Sequence, residues 1–582
     1  MIFLRFRKNN FIKNEIFGKN LGYLAGEPMV KMNAARISRE SFSAPRIRSG
    51  MEHPTMPSRR TGTRAFLGSR ALFGMFALCS AFACTAKTPH PDSAGSDSDS
   101  GIRDTSAETG RIDSADTADS GIVLKVPKKS DWPMVGGRYA AATNNTVIED
   151  SNFDPTNLVP VYFAVDDLAM SFAPTGVRLP ATTPNGDGSI YMFIGGETGA
   201  SLLVNGIQTD HLEMGGKVIA PPIFNRGINR GIVASALEGD SKILVFEIID
   251  DHFNPIWSMP IKATVFGRAV FVDYKNGDAT MQHFFVVPSD GNTIYSFDAT
   301  KDSAKEALIW QQPGHSSFYA GVAAYADAYT NAACAMARLH GLECYDLLTG
   351  TLLGELPFAA DKSSYVSPAI DHTIDGNYYV YYGNHCNRSA EINPGECGAN
   401  FGAVSVATLP DMTPVCSLDN AVLQMRSGFA IGEGKEENLV YFMDGETGEV
   451  FAMYQPTTDD PTCRIKWQRI YTTSITETAD TTPVYVSVEN GPTNLLAFLS
   501  EEQTPGMEGA YLNFADPDNG DLIISYPIRD RTGLFPTSGK AAPSISVANL
   551  SLDPENPNWC FMTTIMSREM LGICQRELDF SI

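Results

Sequence analysis

The 582-residue chain is poor in tryptophan, with five against 32 Phe and 21 Tyr, and poor in positive charge, with 44 Lys and Arg against 67 Asp and Glu. Its formal charge of −23 conceals a split. Residues 1–83 carry 14 basic and four acidic side chains, so the remainder carries 30 against 63, a balance of −33. A body that acidic repels phosphate backbones, which argues against nucleic acid as a partner. No Cys-x-x-Cys, no adjacent cysteines and no His-Glu-x-x-His occur, so the common zinc and metalloprotease spacings are missing. Beyond residue 83 no uncharged apolar run reaches the 18 or more residues of a membrane-spanning helix. Amphipathic helices longer than about two turns are missing as well.

What the N-terminal region does contain is an export address. Basic residues from Arg59 to Arg70 precede a 13-residue apolar run, Ala71 to Ala83, that ends in small residues. These are the parts of a secretory signal peptide, and the run is too short to span a bilayer. Cys84 follows directly. Residues 1–83 are thus a leader, of which 1–50 match no targeting class and read as an upstream start artefact. Residues 84–130 follow as an acidic tether, its 88–121 stretch built from Asp, Ser, Thr, Ala, Gly and Pro. So few large apolar side chains cannot offset the entropy of ordering, and disorder is expected. Its 34 residues span about 30–35 Å as a coil and about 110–120 Å fully extended.

The segment around Cys84 resembles a bacterial lipoprotein signal, although Ala81 stands where Leu is usual. That resemblance implies lipidation of Cys84 and a membrane-anchored protein on the periplasmic or outer-surface side. Cleavage by the ordinary signal peptidase, giving a secreted protein, is the alternative. The membrane would then be touched through the lipid anchor only.

Eight further cysteines lie in the body: Cys334, Cys344, Cys386, Cys397, Cys416, Cys463, Cys560 and Cys574. An even number in an exported chain favours disulfides, with 105 connectivities possible. Proximity suggests 334–344, 386–397, 416–463 and 560–574, since short loops close at least entropic cost. No metal ligands are assigned. The eight histidines beyond residue 56 are scattered singly, each read as a loop or turn residue. Asp516-Pro517-Asp518-Asn519-Gly520-Asp521 has some calcium-loop character but lacks the twelfth-position Glu, so it reads as a hairpin turn.

Residues 131–582 alternate β-branched and aromatic runs with turns such as Asp290-Gly291, Asp375-Gly376-Asn377 and Asn519-Gly520. A short entry element, often Pro beside small or branched residues, recurs about every 42–61 residues. It stands at Leu179, Pro221, Arg268, Gly321, Ser367, Gly428, Thr482 and Ala542. A second element ends a strand at Asp298, at Asp346 with Thr349 and Gly350, and at Asp444 with Thr447 and Gly448. Asp suits such a turn because its carboxylate binds local backbone, and Gly because the turn needs positive φ.

These motifs, with Trp257, Trp310 and Trp467 following some copies, resemble the propeller repeat of the pyrroloquinoline-quinone (PQQ)-like family. The departures are that most copies lack the Trp and that Asp298 lacks the Thr-Gly pair. The expected fold is an all-β propeller over 131–582, most simply of eight four-stranded blades, with seven the alternative. The last strand, near 573–580, should share a blade with the segment after Trp132, locked by the 560–574 bridge. The family includes quinone enzymes, but their Trp docking motifs and vicinal cysteine pair are missing here. The functional expectation is therefore a non-catalytic binding or scaffolding module of the cell envelope, with no cofactor. Its partner would be an envelope protein held on one loop face, where Phe318, Tyr319 and Tyr365 are candidate contacts with inter-blade packing as their other reading. A quinoprotein-type or other propeller enzyme, and a purely structural surface protein, are the alternatives.

Overall fold

In the computed structural model, residues 144–578 are described, apart from internal stretches of which 179–187, 387–401, 472–481 and 530–543 are the longest. Two strands, β1 (Asn145–Ile148) and β2 (Val159–Phe163), precede the repeats. Blade 1 comprises β3 (Thr175–Arg178), β4 (Ile190–Gly195), β5 (Gly199–Val204) and β6 (Ile207–Glu213). Blade 2 comprises β7 (Ile223–Asn225), β8 (Arg230–Ala234), β9 (Lys242–Ile249) and β10 (His252–Pro260). Blade 3 holds β11 (Val270–Tyr274), β12 (Gln282–Ser289), β13 (Thr293–Asp298) and β14 (Leu308–Pro313). Blade 4 holds β15 (Phe318–Ala326), β16 (Asn331–Ala337), β17 (Gly341–Asp346) and β18 (Leu352–Pro357).

In blade 5, β19 (Lys362–Ser363) and β20 (Ala369–His372) both pair with β21 (Tyr378–Cys386), followed by β22 (Gly402–Leu409) and β23 (Pro414–Val422). Blade 6 is β24 (Ala430–Glu433), β25 (Asn438–Met443), β26 (Glu449–Tyr454) and β27 (Ile465–Ile470). Blade 7 is β28 (Val484–Val488), β29 (Leu495–Glu502), β30 (Gly509–Ala515) and β31 (Leu522–Ile528). Blade 8 takes β32 (Ser546–Asn549), β33 (Trp559–Ile565) and β34 (Glu569–Cys574) from the C-terminal end and β2 from the N-terminal end. The fold is an eight-bladed β-propeller. Among the described residues the one α-helix is a single turn, Ala304–Ala307, capped by Ser303, whose Oγ accepts from Glu306 N at 3.4 Å and donates to Glu306 Oε2 at 2.8 Å.

Each blade is an antiparallel meander, so its ends alternate. Links between blades and second-to-third-strand hairpins share one end, here termed the link face. First-to-second and third-to-fourth hairpins share the other, the hairpin face. Middle strands are mostly buried, β4 and β33 along their whole length, while fourth strands such as β18 alternate because only one side meets a neighbouring blade. First strands line the axis and touch from blade to blade. The recurring entry element explains itself here: Gly321 N donates to Ser367 Oγ at 3.0 Å, Gly428 N to Thr482 Oγ1 at 2.8 Å, and Ala173 N to Ser544 Oγ at 2.8 Å. A hydroxyl beside the entry proline thus accepts an N–H from an adjoining blade. The first entry needs correction, because β3 starts at Thr175 after Pro174, whereas Leu179 lies outside the described residues. The sequence around Leu179 also carries a Pro, which is why it passes for an entry. Gly321 falls within β15 rather than at its start.

A second recurrence lies at the outer rim. In blades 1 to 7 the fourth strand bulges at one equivalent position, opposite the third strand two residues before its end or close to it. In blades 1 to 6 that position meets the next blade at or beside its third-to-fourth turn. Trp257 Nε1 donates to Lys301 O at 3.0 Å, Trp310 Nε1 to Leu347 O at 2.8 Å, and Trp467 Nε1 to Pro517 O at 2.9 Å. In blade 1 the position is Asp210, whose carboxylate accepts Phe253 N at 2.7 Å. In blade 4 it is Gly354, and Met412 of the next blade fills the space an indole would take. In blade 5 it is Cys416, bonded covalently to Cys463 in blade 6. One contact is made by four chemistries, which is why Trp recurs so irregularly in the sequence.

The bridge 334–344 joins β16 to β17, and 560–574 joins β33 to β34 within the closing blade. Cys386 is disulfide-bonded, and Cys397 lies outside the described residues, as do Cys84, the leader, the tether and residues 131–143. The closing strand is β34, Glu569–Cys574, paired with β2 at Val159–Phe163.

Candidate functional site

The three Asp turns do not occupy equivalent places. Asp298 and Asp346 follow third strands, on the hairpin face. Asp444 follows the second strand of blade 6, on the link face, which corrects the expectation of one repeated position. Local geometry still matches between turns, because a turn of this kind is fixed by five residues wherever it stands. Gly350 N donates to Asp346 O at 2.8 Å, Gly448 N to Asp444 O at 3.0 Å, and both glycines have φ near +70°. Thr349 donates through N and Oγ1 to Asp346 Oδ1, at 2.7 and 2.8 Å. Thr447 Oγ1 accepts from Glu449 N at 3.2 Å. Asp298 Oδ1 accepts from Thr300 N at 2.9 Å and Oγ1 at 2.7 Å before the helical turn begins. The true third-to-fourth counterpart in blade 7 is Asp516, where Gly520 N donates to Asp516 O at 2.8 Å and Asp518 N to Asp516 Oδ1 at 2.8 Å. Its carboxylate serves the hairpin.

The axis holds a cavity. β1 adds to β28 in parallel as a fifth strand, and Asn144 and Asn145 Nδ2 donate to Phe429 O at 2.8 Å and Ile431 O at 3.1 Å in blade 6. This N-terminal insert fills part of the channel between blades 6 and 7 and leaves about 330 Å³ beside blade 5, toward the hairpin face. Its polar lining comes from Asn145, Thr146, Asp371, His372, Asn438, Tyr485 and Ser487. Burial raises the Asp371 carboxyl above the usual carboxylate range, against an opposing hydrogen bond from Gln455 Nε2. His372 stacks on Tyr378 at 4.3 Å. The Thr146 hydroxyl, in a side chain that is 2 % exposed, has no hydrogen-bond partner among the described residues.

At the link face, Arg338 lies over the rings of Tyr319 and Tyr365, 5.0 and 4.9 Å from their centroids. Tyr319 also stacks on Phe266 at 4.9 Å. Both tyrosines are half-buried between blades, and Phe318 is fully buried, so Phe318 is core rather than an exposed contact. Its ring lies under Gly314, where the chain enters blade 4. Leu339, beside Arg338 at the tip of the β16–β17 hairpin, is 54 % exposed.

The scattered histidines also resolve differently. His315 and His340, 25 residues apart in sequence, stack at 4.1 Å beside Glu343 and Glu355. No sequence spacing signals this, because one comes from a link and the other from a hairpin.

No protein-family model matches the chain, and no curated protein matches it. Solved structures similar to it include BamB from Moraxella catarrhalis, at 12 % identity and a TM-score of 0.42, covering 71 % of this chain and 99 % of that one. Quinohemoprotein alcohol dehydrogenase from Comamonas testosteroni is similar at 9 % identity and 0.47, covering 75 % and 77 %. Saccharomyces cerevisiae Sqt1 is similar at 11 % and 0.44, covering 71 % and 97 %. The propeller assignment rests on the strand order itself.

The quinone that the family resemblance would bring does not fit the axial cavity. PQQ is a tricarboxylate, and the lining offers it Asp371 and no Lys or Arg. Neither a Trp nor a Cys is present in that lining to sandwich a planar ring.

Proposed function

We propose that this protein is an exported propeller, anchored through a lipid on Cys84, that works as a non-catalytic docking module in the cell envelope. The observation that carries the reading is the link face, which offers exposed Leu339 above the ordered Arg338–Tyr319–Tyr365 stack. The axial cavity beside β1 argues the same way, since its lining offers a quinone no basic side chain. An apolar tip beside fixed aromatics suits a protein partner better than a charged one. Affinity purification from solubilised membranes should recover one specific envelope protein with the native chain and lose it with Leu339→Glu. Cys84→Ser should release the chain from membranes. Recovery of a stoichiometric quinone, or partner capture unchanged by Leu339→Glu, would overturn the reading.

A small polar ligand in the axial cavity is the second reading, favoured by the unpartnered Thr146 hydroxyl. Native mass spectrometry of the purified protein would reveal it as a discrete added mass that Asp371→Ala removes.

A further inference from the structure

Two carboxylates stand opposite each other on blade 4. Glu343 of β17 and Glu355 of β18 are direct register partners, and like charges in that relation are destabilising. The Glu343 side chain is fully buried. Around the pair stand His315, from the link entering the blade, and His340, from the β16–β17 hairpin. His315 Nδ1 lies 3.1 Å from Glu343 Oε1 and 3.2 Å from Glu355 Oε2, and His340 Nε2 lies 3.2 Å from the same Glu355 oxygen.

The two imidazole rings stack at 4.1 Å beside the paired carboxylates. A dication among these side chains would offset the two like charges and take a nitrogen from each ring. Donor atoms at the corners of a tetrahedron around zinc, about 2.0–2.1 Å from the metal, are about 3.3 Å from one another. Three donor pairs, His315–Glu343, His315–Glu355 and His340–Glu355, stand at 3.1–3.2 Å, close to that spacing, and the donors of His315, His340 and Glu343 all lie within 4.8 Å of one another. The surrounding groups are those that orient ligands: His315 N donates to Glu343 Oε1 at 3.0 Å, and Tyr345 Oη donates to Glu343 Oε2. His315 and Glu355, at 53 % and 38 % side-chain exposure, leave the site open to solvent.

We propose that His315, His340, Glu343 and Glu355 bind a divalent d-block cation of the zinc type, tying the link into blade 4 to that blade's outer strands. Two imidazoles and two carboxylates form a nitrogen–oxygen set suited to zinc. The inference is independent of any docking role.

The test titrates Zn²⁺ alone into the chelator-treated full protein by calorimetry, with Co²⁺ as a spectroscopic probe. One equivalent should bind, with intense visible bands for four-coordinate Co²⁺, and bound Zn²⁺ should raise the melting temperature. Removing an outer partner typically costs 10–100-fold in metal affinity, so Tyr345→Phe should weaken binding by about tenfold and His340→Ala by at least about 100-fold. His340 is at a hairpin tip, so its metal-free variant should keep the native circular dichroism and melting temperature. If His340→Ala unfolds, His315→Ala serves the same purpose from the link. Absence of stoichiometric Zn²⁺ binding overturns the proposal. So does binding unchanged in the double histidine variant, or binding lost instead with His211→Ala, where a separate His–carboxylate group has spacings of 3.6 Å.

Discussion

Gly350 and Gly376 share a left-handed backbone, at φ +71° and +83°, yet they sit in different surroundings. A Cβ on Gly376 would meet nothing within 4 Å, whereas one on Gly350 would lie 2.7 Å from Trp310 Cγ. Alanine at either position carries the left-handed cost of about 1–2 kcal/mol. At Gly350 it must also displace the indole that docks on Leu347 O, a crowding cost of about 1–3 kcal/mol. Urea unfolding should therefore show Gly350→Ala to be clearly the more damaging of the two. Equal losses would mean that the docked indole is not what this glycine accommodates. The Asp-x-x-Thr-Gly signature was legible in the sequence because it is a local device. Its partner Trp310, 36 residues earlier and in another blade, was visible only as a loose companion.

At the scale of the strand, one bulged position on the fourth strands of blades 1 to 6 decides how a blade grips the next. The covalent version, Cys416–Cys463, is the one bridge among the three whose cysteines are partly exposed; Cys334, Cys344, Cys560 and Cys574 are fully buried. Thiol–disulfide exchange needs access, so mild reductant should open 416–463 first. Differential alkylation followed by peptide mass mapping would read the order, and simultaneous reduction of all three would contradict it. The bridge closes a 47-residue separation, for which the chain-entropy model assigns about 4 kcal/mol. Its loss should loosen blades 5 and 6 in particular, visible as faster amide exchange in β23 and β27. Proximity in sequence was enough to suggest this pair. That it replaces an indole contact was not, since the equivalence of Cys416, Gly354 and Trp310 exists only in the register.

For the whole ring, closure depends on β2, which completes blade 8 against β34, while β1 packs into the axis. A chain beginning at residue 143 keeps both strands and should melt at the native temperature. One beginning after Phe163 loses both, exposes the edge of β34, and should melt lower and associate through that edge. Calorimetry with size-exclusion chromatography separates the outcomes. Native melting by the shorter chain would show that closure does not need the N-terminal strand. Eight entries spaced by about 42–61 residues were enough to count the blades. They were not enough to phase them, as the misplaced first entry and the Asp444 turn show.

Local chemistry alone determined the all-β class, the number of repeats, the turn residues and the cysteine pairs close in sequence. Each of these depends on neighbours within a hairpin or a short loop. Tertiary structure decided the rest: the axial insert of β1, the four ways of joining blades, and the meeting of His315 with His340, Glu343 and Glu355. Those arrangements bring together residues whose order along the chain carries no period. They exist because a closed ring turns links and hairpins of one blade into neighbours across a single face.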